Sequence, residues 1–301
     1  MKIIRPIPIT DAILSASSIA ETDYAAWSGA TTYAAGDRVI VVATHRVYES
    51  LQAANLNHDP TTDSTTTPVW WVVVGSTNRW RMFDDSPSLQ SSAATSISAT
   101  LTPGERVNSI ALLNLSAATV QVTVTDPVDG VVYDTLYDLS SPTGIDDWYS
   151  YFFEPIARKT DMVLTDLPPY SAADIDIVIN KPTGTAAVGE VVIGLYRDIG
   201  GTQFGAQLGI QDYSVKQRDD FGNYTILERA FNRRGVFSVW MDAGMVSAAH
   251  ALLSDLRATP AVYVGADDYD AAIIYGFFKD FSIDITFSNA SVCSIELEGL
   301  T

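Results

Sequence analysis

Short runs of alternating or continuous apolar residues dominate the chain. RVIVVA (38–43), WWVVVG (70–75), ATVQVTVT (118–125), GVVYDTLY (130–137), DIDIVIN (174–180), GEVVIGLY (189–196), GVFSVWM (235–241), AVYVG (261–265) and FSIDITF (281–287) are rich in Val, Ile, Tyr or Phe and bounded by Gly, Pro, Asp or Asn. A period of two puts one face of a strand on a core, and β-branched and aromatic residues suit a pleated, half-buried surface. One segment departs from this. In DAGMVSAAHALLSDLRATP (242–260), Met245, Ala249, Leu252, Leu253 and Leu256 recur at helical spacing. Pro260 marks the stop, and Asp242 is the expected N-cap. A shorter helix or turn is expected at TDAILSASSI (10–19), capped by Thr10 or Asp11. The pattern predicts a mostly β, multi-domain chain with one good helix at about 243–257.

Four regions follow from the punctuation. Residues 1–19 read as an N-terminal arm. Residues 20–76 form a compact module rich in aromatics, interrupted by NHDPTTDSTTTP (57–68), whose turn-forming residues predict an exposed loop. Residues 77–200 open with TNRWRMFDD, cross the low-complexity stretch SPSLQSSAATSISA (86–99), and continue as evenly spaced strands. That spacing predicts an antiparallel sandwich or jelly roll. Residues 201–301 hold a strand-rich start, the helix and three closing strands. GLYRDIGGTQFGAQLG (194–209) reads as a connector whose glycines permit close backbone approach.

Composition narrows the functional classes. Hydrophobic residues make up 47% of the chain and the mean hydropathy is +0.11, enough for real cores. With 36 acidic against 18 basic residues the formal charge is −18, so the surface as a whole repels phosphates and nucleic acid is not an expected partner. No apolar run is long enough to span a bilayer. Two prolines break the apolar stretch of MKIIRPIPITDAIL, which argues against an export signal. The lone Cys293, in the alternating NASVCSIELEGL, reads as a buried core thiol.

Catalytic chemistry is not signalled. His45, His58 and His250 lie far apart with no zinc-ligand spacing. The pairs Asp84-Asp85, Asp146-Asp147, Asp219-Asp220 and Asp267-Asp268 are adjacent loop residues, whereas glycoside hydrolysis needs carboxylates opposed across a cleft. A calcium site at GADDYD is a remote alternative, without EF-hand spacing. No nucleophile elbow, zincin motif, phosphate loop or dinucleotide fingerprint occurs. The expectation is a non-enzymatic protein without cofactor.

The stretch DYAAWSGATTYAAGDRVIVVATHRVYESL (23–51) sets Trp27, Tyr33, Gly36, Asp37, Val39 and Tyr48 at close intervals, followed by Pro60 or Pro68 and by Trp70 and Trp71. In these residues it resembles the small chitin-binding modules of bacterial chitinases. The resemblance covers about fifty residues and implies Trp27, Tyr33, Gly36, Asp37 and Val39 as the module core, with Tyr48, Trp70 and Trp71 as the glycan-stacking platform. Leu51-Gln52 stands where sugar-reading members carry an exposed aromatic. Two readings therefore remain: a glycan-binding face, or aromatics that serve only as core. Neighbouring Trp70 and Trp71 point to opposite faces of a strand, so only one of them belongs to the core.

Over nearly its whole length the chain resembles tail-associated structural proteins of tailed bacteriophages. The carrying phrases are IIRPIPITDAIL, STNRWRMFDD, LGIQDYSVKQRDDFGNYTILERAFNRR and IIYGFFKDFSIDITFSNASVCSIELEGL. The resemblance implies a virion component of the tail tip, baseplate or tail–fibre junction. It would be assembled in the host cytoplasm from several copies and neighbouring tail proteins, with host surface polysaccharide as a further partner. In that setting Arg229, Arg233 and Arg234 of ERAFNRR read either as a surface turn or as an intersubunit clamp onto an acidic neighbour. The alternative is a glycan-binding accessory protein of a polysaccharide-degrading system.

Overall fold

The computed structural model describes residues 1–300 apart from 66, 142–146, 219–220 and 268. The architecture is mostly β, and each of the nine predicted runs contributes a strand. Within the described residues the largest unit is a ten-stranded antiparallel sheet that curls into a half-barrel. Its strands run in the order Met162–Leu164, Ser109–Leu113, Glu190–Asp198, Lys2–Pro6, Ala261–Val264, Ile273–Asp284, Ala290–Gly299, Phe231–Asp242 and Gly201–Thr202. Gln207–Asp212 pairs beside the last of these on Phe231–Asp242.

This order crosses the boundary expected at 200 without a break. The segment expected as an N-terminal arm is its central seam. Lys2–Pro6 pairs with Glu190–Asp198 on one side and Ala261–Val264 on the other. Ile3 and Ile4 are both fully buried on opposite faces. Ile3 packs with Phe237, Tyr263 and Leu253; Ile4 packs with Val192, Val262 and Tyr275. A strand buried on both faces has no polar alternation, which is why this one resembled a loose apolar arm.

A second, five-stranded antiparallel sheet orders Gly130–Asp138, Thr119–Asp126, Asp174–Val188, Ser91–Leu101 and Leu14–Ser17. Val120, Val122 and Val124, with Ile175, Ile177 and Ile179, face Ile110, Leu112, Val191 and Ile193 of the large sheet, closing a β-sandwich core. From Ser91 on, the low-complexity stretch is thus a long paired strand, anchored by Ile97, Ala99 and Leu101. The helix is present as Val246–Asp255 after a 3-10 turn at Ala243–Met245, and it buries Ala249 and Leu253, with Leu256 at its C-cap, against the other end of the large sheet. Asp242 stands at the start of that turn but makes no side-chain cap, a correction to the expected N-cap. At 10–19 a turn, closed by the Ile13 and Leu14 amides on the Thr10 carbonyl, leads into Leu14–Ser17. Cys293 is buried, and burial pushes its thiol up to about 11.

Gly200 illustrates the close approach expected in the glycine-rich stretch. Its φ is +137°, and a Cβ there would meet the Trp240 carbonyl oxygen at 2.1 Å, so only glycine lets this turn lie against the neighbouring strand.

Candidate functional site

The aromatic module is a three-stranded sheet of Arg38–Val41, Arg46–Ser50 and Trp71–Ser76, with a two-stranded piece at Thr32–Tyr33 and Asn55–Leu56. Its core is Tyr33, Val39, Tyr48 and Trp71, with Trp27, Val41 and Trp70 packed at the margin. Trp71 is 0% exposed, meets Tyr33 edge to face at 5.2 Å, and donates its indole N–H to the His58 carbonyl at 2.8 Å. So small a unit has few aliphatic contacts, so each large ring carries a disproportionate share of its stability.

These placements correct the expected platform. Tyr48 and Trp71 are core residues with no ring face to offer a sugar. Trp70 alone remains at the surface. It is half-buried and stacked on His58 at 3.8 Å and 12°, and the His58 ring nitrogen is 3.1 Å from the Asp63 carboxylate. Gly36 and Asp37, grouped with the module core by the resemblance, form the tight turn that the AAGD stretch suits, and they are exposed. Gly36 has φ +90°, and the Asp37 carboxylate accepts the Ala34 amide at 2.7 Å. The predicted loop at 57–68 contains a helical turn, Pro60–Asp63, started by Asp59 accepting the Thr61 amide.

The module is fastened to the rest of the chain through His45. This ring stacks on Trp80 at 4.0 Å and lies 3.1 Å from both Glu21 and Asp11. Leu51, at the position of the missing aromatic, is exposed, as are Val72, Val73 and Val74 along the outer strand.

The concave side of the curled sheet holds a cavity of about 460 Å³, bordered by Leu113, Asp161, Phe231, Arg233, Tyr275 and Leu300. Its polar groups are spent on one another. Arg233 meets the buried Asp161 carboxylate at 2.6 Å and donates to the Ile273 carbonyl at 3.1 Å. The Tyr275 hydroxyl donates to Asp85, a residue held at φ +60°. Behind this contact Glu190 is almost fully buried, with Oε2 unpartnered. Burial, then the nearby Asp85 and Asp84 charges, push its carboxyl up to about 10. Burial likewise raises Asp84. Tyr275 is pushed far above the ordinary tyrosine range by burial and the Glu190 charge. Asp84 is thus half-buried, and the exposed Asp85 is tied to the large sheet through Tyr275. Asp146, Asp219, Asp220 and Asp268 lie outside the described residues, and Asp267 pairs with Lys2 at 3.0 Å.

The three arginines read together in the sequence separate in the structure. Arg233 is engaged inside the chain, on the buried Asp161 carboxylate, and is partly exposed. Arg234 sits 3.4 Å from Glu296 across the adjacent strand. Arg229 lies exposed at the root of a projecting ribbon, Val215–Arg218 paired with Tyr224–Leu227. Nearly all of that ribbon is exposed, including Tyr224, Ile226 and Leu227.

A second projection lies earlier in the chain. The short helix Trp148–Phe153 leaves Trp148, Tyr149, Tyr151, Phe152 and Phe153 between 62% and 78% exposed, with Ile156 beside them. The rings touch mainly one another: Trp148 with Tyr151 and Phe152, Tyr149 with Phe153. Five aromatics in the six residues WYSYFF were the available signal. A contiguous apolar surface of this kind marks an interaction site.

No protein-family description matches this chain, and no curated protein is detectably similar to it.

Proposed function

We propose that the protein is a non-enzymatic structural component of a bacteriophage tail, placed at the tail tip, baseplate or tail–fibre junction and present in several copies. The observation that carries this reading is the pair of exposed projections, the aromatic knob at 148–156 and the ribbon strands Val215–Arg218 and Tyr224–Leu227, which expose Tyr224, Ile226 and Leu227. Exposed apolar surfaces of this kind on an acidic chain are what a subunit awaiting neighbours presents. The cavity supports the same reading, because Arg233, Asp161, Tyr275 and Asp85 are engaged in holding strands together. Host glycan contact, within this reading, falls to Trp70, whose ring is backed by His58.

Mass spectrometry of gradient-purified intact particles tests it. The reading expects the chain to co-sediment with particles in several copies; its absence from them overturns it. The second reading, a glycan-binding accessory protein, draws on the same Trp70–His58 stack. It expects retention of the full chain on insoluble polysaccharide in the absence of any particle.

A further inference from the structure

We propose that the ribbon of one copy seats on the aromatic knob of a second copy of this chain, in a head-to-tail contact that repeats from subunit to subunit. This deepens the multi-copy reading above by naming the partner and the two faces.

The ribbon has chemically distinct sides. Its register pairs Lys216 with Ile226 and Arg218 with Tyr224. Directly opposed residues share a face, and alternate residues along a strand share it too. One face therefore carries Arg218, Tyr224 and Ile226, together with Lys216, whose ammonium is paired with Asp212 at 2.8 Å. The Arg218 guanidinium already lies 5.8 Å from the Tyr224 ring centre. A two-stranded ribbon is marginal in water by itself and gains order when one face is covered.

The knob offers the complement. Its electron-rich ring faces accept guanidinium and ammonium groups, and the exposed Glu154 stands next to them in the chain. Like-with-like contacts are disfavoured on charge. Ribbon on ribbon brings Arg218 towards its own copy, and knob on knob does the same for Glu154. The net charge of −18 adds a general attraction for the Arg218 guanidinium.

The area is also sufficient. A large aromatic buries about 150–250 Å². Five rings at the observed exposure therefore supply roughly 700 Å², close to the roughly 800 Å² per partner of a stable interface. Because the two faces differ, the contact is heterologous and closes into a ring or extends as a helix.

Sedimentation velocity on the full chain tests the contact. The knob variant is Trp148→Ser with Phe152→Ser; the ribbon variant is Arg218→Glu with Ile226→Asp. All four positions are surface residues, and unchanged circular dichroism and Tm verify folding. The wild-type chain is expected to form species larger than a dimer, and each variant alone to remain monomeric. An equimolar mixture of the two variants is expected to form a dimer and nothing larger, since one intact ribbon then meets one intact knob. A wild-type chain that stays monomeric up to about 100 μM, above the affinity range of interfaces this size, overturns the contact. So does a variant mixture that stays monomeric. So does knob-dependent binding to phosphatidylcholine vesicles without self-association. Oligomers that persist in both variants overturn the ribbon–knob contact and leave the multi-copy reading standing, while particle mass spectrometry judges that reading independently.

Discussion

The Arg233 guanidinium lies 2.6 Å from the Asp161 carboxylate, joining the strand Phe231–Asp242 to the segment that enters Met162–Leu164 at the far edge of the same sheet. In the strand order these two elements stand near opposite ends, so the contact spans the curl of the half-barrel. Asp161 also accepts the Asn114 amide at 3.0 Å, and Arg233 donates to the Ile273 carbonyl. One ion pair thereby ties three strands across the concave face.

Arg233→Ala is expected to lower stability by about 2 kcal/mol. Removing one partner leaves a buried carboxylate without its cation, and the partial exposure of the arginine puts the cost below that of a fully buried pair. Arg234→Ala, which breaks a pair exposed at both ends, should cost less than about 1 kcal/mol. Urea denaturation of the two variants side by side checks the ordering. Equal losses would mean that the Asp161 contact does not hold the curl.

Glu190 should make the fold weaker as pH rises. Its carboxyl ionises near 4.5 when unfolded and is held protonated to about 10 in the folded chain. Between those values the folded state binds more protons than the unfolded state, so this contribution to stability is complete below about pH 4.5 and is lost progressively towards about pH 10. Glu190→Gln keeps the shape without the charge. Its Tm should exceed that of the wild type by at least ~2 °C at alkaline pH, with a flatter profile from about pH 5 to 9. Parallel profiles for the two proteins would contradict the assignment.

The two neighbouring tryptophans should separate stability from recognition. Trp71→Ala removes a fully buried ring and its hydrogen bond to His58, a loss of about 3–5 kcal/mol that should unfold the module. Trp70→Ala removes a half-buried ring stacked on His58 and should cost about 1 kcal/mol. Near-ultraviolet circular dichroism and thermal melts distinguish them. Polysaccharide retention that survives in folded Trp70→Ala would remove Trp70 as a glycan contact.

Legibility in the sequence followed physical type. Strands with one buried face announced themselves by alternation, and the helix by the spacing of Ala249, Leu253 and Leu256. Lys2–Pro6 did not, because burial on both faces erases the alternation. Ser91–Leu101 was masked by its Ser, Ala and Thr residues, with Ile97 and Leu101 as the sparse inward signal. Tyr48 and Trp71 could not be assigned to core or surface from spacing, since an aromatic serves either role. Arg233 lay in a basic cluster that the strand geometry divides among three environments. Glu190 gave no sign at all, since its burial depends on residues 84–86 folding over the strand from a distant part of the chain.

The most direct test of the structural reading is immunogold electron microscopy of intact particles with antibodies raised against the full chain. Label is expected to be confined to the tail, at its tip, baseplate or fibre junction, with more than one gold particle on a share of tails. Particles that are complete and infectious yet carry no label, while the chain is present free in the lysate, would contradict it.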